Sequence, residues 1–274
     1  MIATIKAEWR KNRFRPAFLV SSGVMAALVA FFYATNWYLA LHPAASQRPG
    51  GTNILALYPD QFVNNAMGAA YPIGAAIAIV LGALLAGSEY SWGTMKTMLT
   101  QRSGRLTTWL GRVVIFEVWM AIVTVVLLAA AAASSLVVAG FQGHAIAWPA
   151  MVDLGKGFAA VLLILSVNGA LGLALGTLFK NSAAALGVGL TYLLALQIIV
   201  VQFIDAVNNG AYKWLGNLFD GQNADALLST FTSAAFGPST PASIAPNTAV
   251  TVLFIYVAAF LVIAAGLLRQ RDVT

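Results

Sequence analysis

The chain has 274 residues, 60% apolar and only 9% charged, with a mean hydropathy of +0.82. Polar side chains are too few to cover a water-soluble globule, so the composition places the chain in a bilayer. The net charge of +6 is spread around apolar runs instead of gathered into a stripe, which argues for membrane orientation and against a nucleic-acid partner, and the lack of cysteine excludes a disulfide framework, a thiol nucleophile and a thiolate metal site.

The first sixteen residues, MIATIKAEWRKNRFRP, place Ile2, Ile5 and Trp9 on one helical face and Lys6, Arg10, Lys11, Arg13 and Arg15 on the remainder. That is the pattern of an amphipathic helix lying on a membrane surface. A basic start before an apolar run also fits a signal peptide, with Ala44 to Ser46 as a cleavage site. Residues 17–41 are too long for this, since a signal segment has roughly 7–15 apolar residues, and they are read as the first span, with Met25, Phe31 and Phe32 as lipid or core contacts. Residues 42–66 are polar and form a first outer loop.

Five more spans follow, at about 67–88, 113–140, 157–179, 182–204 and 248–268, in a single membrane domain covering 1–274. The second carries Gly74, Ala78 and Gly82, and the fourth Gly172 and Gly176, the small-x-x-x-small spacing that lets helices approach closely in lipid. Only Lys180 and Asn181 part the fourth span from the fifth, which demands a tight hairpin. Asn168 and Gln197 lie near mid-membrane, as lining of a translocation path or as hydrogen-bonding links between helices worth about a kcal/mol or less. Glu117 falls about one turn inside the third span and Asp205 at the far end of the fifth, away from the midplane where ion coupling is placed. The outer stretch WLGNLFDGQNADALL is too short and polar to span, yet apolar enough to dip into the interface.

Between the second and third spans lies a charged island, Gly87 to Arg112. Ser88 can cap a helix start, with Glu89 just inside at the positive end of its dipole. Trp92, Met95, Met98 and Leu99 then recur at three- and four-residue spacing, so this helix lies flat, and Gln101 to Gly104 reads as a turn. An ordinary basic loop is the alternative.

Three separated stretches resemble the membrane subunits of ABC-2 type exporters. In the island these are Gly87, Glu89, Gly93, Thr94, Lys96, Leu99, Thr100, Ser103, Arg105, Gly111 and Arg112, with Gln101 and Arg102 where that family has Pro-Val. The run GLALGTLFKNSAAALGVGL matches the family's passage from fourth to fifth helix, and Arg269, Arg271 and Asp272 its basic-basic-Asp ending. The resemblance implies an all-α membrane domain with six spans, an amphipathic N-terminal interface helix and a cytoplasmic coupling helix between spans 2 and 3. It also implies a second permease copy or paralogue and two cytosolic ATP-binding cassette ATPase subunits, which would bind the ATP and Mg. Glu89, Gly93, Lys96, Arg102 and Arg105, with Lys180 on the second turn, are then the groups that couple to the ATPase. The first, second and fifth spans would build the path between permeases.

Counting Lys and Arg fixes the expected orientation. Twelve fall on the side of the termini and three on the other, so both termini are expected in the cytoplasm of a multi-pass plasma-membrane protein. No G-x-x-x-x-G-K-[ST] loop occurs, and His42 and His144 stand alone in different loops, so no catalytic, cofactor or metal site is expected in this chain. A secondary transporter or a membrane scaffold without an ATPase partner is the competing reading.

Overall fold

A computed structural model describes residues 2–42, 53–91, 105–206, 212–231 and 244–270. Among the described residues the chain is helical and carries no strand. Six helices are long and apolar enough to cross a membrane: Pro16–Leu41, Pro59–Ser88, Leu106–Gln142, Met151–Phe179, Ser182–Ile204 and Pro246–Arg269. A separate helix, Ile2–Asn12, precedes them, and Pro16 at the first position of the next helix, where no backbone N–H is needed, accounts for the corner at Phe14–Arg15.

The fourth span is the axis of the bundle, with 72% of its most apolar window buried, while the first, fifth and sixth leave wide apolar faces uncovered. It packs along the second span without intervening side chains. A Cβ on Gly82 would run into the carbonyl oxygen of Gly169, one on Gly172 into that of Ile79, and one on Gly176 would stand 3.0 Å from the Ala83 oxygen. Gly169 turns the other way, where a Cβ would meet the Phe116 ring of the third span at 2.6 Å. Glycine is required here because backbone, not a flexible side chain, occupies the space. Gly74 differs: its neighbours at 3.1 and 3.4 Å are the tips of Leu165 and Met25.

Three spans begin earlier than hydropathy indicates. The second starts at Pro59, the third at Leu106 and the fourth at Met151, because helices that pack together continue into polar residues once those residues find partners. Asn65, assigned above to a loop, is buried and donates to the Tyr33 hydroxyl at 3.0 Å and the Ala56 carbonyl at 2.7 Å. The longer third helix also moves Glu117. It accepts a 2.7 Å hydrogen bond from Ser166, near the middle of the fourth span, so it sits at mid-bundle and not one turn from an edge. The spacing argument failed because it measured depth from the first apolar residue instead of from the helix start.

Two spans are interrupted. The second has a wide turn at Ala70–Gly74, with Tyr71 extended (φ −137°, ψ 132°) before a cis Tyr71–Pro72 bond, and the fifth has a wide turn at Tyr192–Leu196. Such turns inside long helices recur at functional sites.

Candidate functional site

Polar groups gather in two places, one near the termini and one towards the opposite end of the bundle. At the first, helix Ile2–Asn12 lies on the start of the third span. A Cβ on Gly111 would be 3.0 Å from the Thr4 methyl, and Trp9 stacks on Trp119, which in turn stacks on Phe18 with centroids 4.4 Å apart. One turn apart on the buried face are Glu8 and Asn12, 1% and 0% exposed. The Asn12 amide donates to the Glu8 carbonyl at 2.9 Å and to its carboxylate at 3.3 Å, and the Lys11 ammonium is 3.6 Å from the same carboxylate. Arg112 comes from the third span, 1% exposed, and interacts electrostatically with Glu8 and Tyr90. Arg15 donates to the Ser88 hydroxyl at 3.2 Å, and that hydroxyl donates to the Leu84 carbonyl.

Burial lowers the Lys11 ammonium to about 8, against an opposing pull from Glu8, and lowers Arg15 for the same first reason. The cluster therefore joins three elements, the N-terminal helix, the end of the second span and the start of the third.

The tight turn between the fourth and fifth spans meets this end. Lys180 adopts the left-handed conformation (φ 53°), Asn181 caps the next helix by accepting from the Ala183 and Ala184 N–H groups, and Gly87 abuts Ser182, whose N would be 2.6 Å from an added Cβ. Of the six coupling residues expected from the sequence, Lys180 is thus brought to the end of the second span. Glu89 and Arg105 are described as backbone positions in helix ends, while Gly93, Lys96 and Arg102 lie outside the described residues.

The second cluster surrounds Gln197. The Tyr71 hydroxyl, at the break in the second span, donates to the Gln197 carbonyl oxygen at 3.2 Å, and the Gln197 amide donates to Asp220 at 3.3 Å. Tyr192, at the wide turn of the fifth span, donates to the same Asp220 oxygen. Asp220 opens a short helix, Asp220–Leu228, folded back into the bundle, and Tyr256 of the sixth span fastens the preceding loop by donating to the Leu218 carbonyl at 2.7 Å. Asn168 stands apart from this network: it is buried and donates to Ile164 in its own helix at 3.0 Å, so it links no two helices through that bond. Gln197, 3% exposed, does join the second span to the folded-back helix.

Sequence reasoning missed Glu8, Arg112 as a buried group, and Asp220. For Asp220 a signal existed: an acid followed by Gly inside the one outer stretch that is too apolar for a loop.

The fold is that of a multi-pass α-helical membrane protein with a glycine-packed pair of helices at its centre and a polar cluster towards each end. Residues 23–274 match the family described as Protein of unknown function (DUF2705), and the chain belongs to that family. No curated protein matches it in sequence.

Proposed function

We propose that this chain is the permease of an ATP-binding cassette exporter of the ABC-2 type, working with a second permease and two cytosolic ATPase subunits, and that it has no catalytic chemistry of its own. The observation that carries the reading is the meeting of Gly87 with the Ser182 turn, since these are two of the three places where the sequence resembles that family. A push delivered by an ATPase to the segment after the second span would reach the fourth–fifth hairpin directly. Through Ser88, Arg15 and Arg112 it would also reach the N-terminal helix and the third span. The short helices between the fifth and sixth spans accord with the same family. The first and fifth spans, 22% and 28% buried, offer free apolar faces to a second permease, whereas the second, at 61%, is largely committed to the fourth. The path between permeases therefore draws less on the second span than the resemblance implies.

A neighbouring reading frame encoding a Walker-type ATPase is expected, and the experiment is reconstitution with that ATPase, expecting substrate-stimulated ATP hydrolysis. Glu89→Gln removes a charge at nearly constant size. It is expected to insert and bind the ATPase normally while sharply reducing export per ATP hydrolysed. Wild-type export at matched complex abundance would return Glu89 to an ordinary surface charge. For orientation, a reporter fused at Thr274 is expected to read out in the cytosol, following the excess of Lys and Arg on that side. An extracytoplasmic signal would reverse the topology and remove the coupling face from the ATPase.

One observation favours the competing reading of an ion-coupled transporter. Glu117, hydrogen-bonded to Ser166 at mid-bundle, is an ionisable group at the depth where such coupling operates. Transport driven by an ion gradient in vesicles without any ATPase would support it.

A further inference from the structure

We propose that Asp220 is a proton-binding site, and that its neutral carboxylic acid form holds helix Asp220–Leu228 against the second and fifth spans. The inference concerns the chain alone and does not rest on the ATPase partnership.

Asp220 is 2% exposed. One carboxylate oxygen accepts from Tyr192 and Gln197, and the other, Oδ2, is buried with no close hydrogen-bond partner; the Asp220 and Gly221 N–H groups favour the charged form, but burial outweighs them. A buried carboxylate with an unsatisfied oxygen is stable only if it takes a cation or a proton. The packing beside it is tight: a single carbon added at Gly221, the next residue, would collide with both the Gln197 amide and the Tyr71 hydroxyl. A proton needs no added space, and none of the facing groups brings a positive charge, so a proton is the ligand proposed.

The titratable groups facing Asp220 are phenols from three spans, Tyr71, Tyr192 and Tyr256, with Asp225 on its own helix. Helix Phe62–Ala69, packed on the same side, has no titratable residue, and Asp153 and Lys156 at the start of the fourth span are exposed. Among these described groups none carries a positive charge toward Asp220. Burial raises its carboxyl above the ordinary range, and burial brings Asp225 up to about 6.

Docking and protonation are then linked. When the helix swings away, the carboxyl meets water, ionises, and its proton passes to solvent. The docked state binds more protons than the open one. Docking is therefore strongest below the pKa of the water-exposed acid and weakens as pH rises through the docked pKa, by up to tenfold per pH unit for one proton. Asp225 contributes to this slope only up to about pH 6, so a slope beyond that belongs to Asp220. Because the two clasped spans are those interrupted at Ala70–Gly74 and Tyr192–Leu196, release frees both breaks at once.

The test uses the full chain in lipid nanodiscs. Infrared spectra across a pH titration are expected to show a protonated carboxylic acid band that outlasts the ionisation of a water-exposed aspartate, disappears in Asp220→Asn and persists in Asp225→Asn. Hydrogen exchange of amides 220–228, corrected for its intrinsic pH dependence, is expected to lose protection over the same pH range as that band in the wild-type chain. It should stay flat in Asp220→Asn, which mimics the neutral acid and should fold. An unchanged band in Asp220→Asn, or protection independent of pH in the wild type, would overturn the proposal. So would loss of the band on adding sodium or potassium at constant pH, which would make the site one for a metal ion.

Discussion

Gly172→Leu is expected to abolish assembly of the bundle, leaving little monodisperse protein after solubilisation. The reason is local and steric. A Cβ at this position already runs into the Ile79 carbonyl oxygen and would lie 2.9 Å from its carbon and 3.0 Å from the Ala83 nitrogen, all backbone atoms of the second span. Backbone cannot rotate aside as a side chain can, so the whole contact between the second and fourth spans must open. Overpacking of a tight interior costs about 1–3 kcal/mol when side chains can adjust, and more is expected where they cannot. Gly176→Leu should be damaging but milder, because its nearest backbone contact would be 3.0 Å. Gly187, with nothing within 4 Å, is the control and should accept Leu. Size-exclusion profiles of the three variants at equal expression check the order. A Gly172→Leu chain that assembled normally would mean the two spans do not cross here.

Arg112→Met is expected to destabilise the chain, towards the ~3–5 kcal/mol lost when a buried charge is deprived of an attracting opposite charge, because Arg112 attracts the buried Glu8. Glu8 would remain, 1% exposed, paired with Lys11 at 3.6 Å but without the attraction of the positive charge on the third span. Glu8→Gln should carry a comparable penalty for the reverse reason. The double variant is the informative one. Residues that act together are not additive, so the pair should regain about 1 kcal/mol or more of the summed losses. Thermal unfolding of the four chains, followed by tryptophan fluorescence because Trp9 and Trp119 stack beside the cluster, gives the cycle directly. Simple additivity would show that Glu8 and Arg112 are buried independently.

These residues also mark where the sequence stops being informative. The number of spans was readable because long apolar runs announce themselves, and the spacing of Gly82, Gly172 and Gly176 named residues that the structure places where the second and fourth spans touch. Helix starts were not readable. Hydropathy locates the greasy middle of a span, whereas Asn65 and Arg112 are helical and buried because of what they meet from other parts of the chain. Arg112 illustrates the difficulty: beside an apolar run, an arginine counts as an orientation signal, and nothing local distinguishes one in water from one facing Glu8. Asp220 was hidden in the same way, since its partners Gln197 and Tyr192 are 23 and 28 residues away in sequence, and Tyr71, which holds Gln197, is 149 away. In the N-terminal helix, expected to lie on a membrane surface, Trp9 stacks on Trp119 of the third span, and beside it an acid and an amide, Glu8 and Asn12, sit buried.

If the chain is the permease proposed, an ATPase docks on one end of the bundle, at the segment after the second span and at the Lys180 turn. The chain contains no cysteine, so single cysteines report contacts without background. With the ATPase carrying one cysteine at its membrane-facing surface, Lys96→Cys and Lys180→Cys should each crosslink to it, and His144→Cys, in the loop after the third span, should not. Crosslinking at the two lysine positions should change between ATP-bound and nucleotide-free complexes. Absence of crosslinks from both, in a complex of normal abundance, or a crosslink from position 144 instead, would contradict the account.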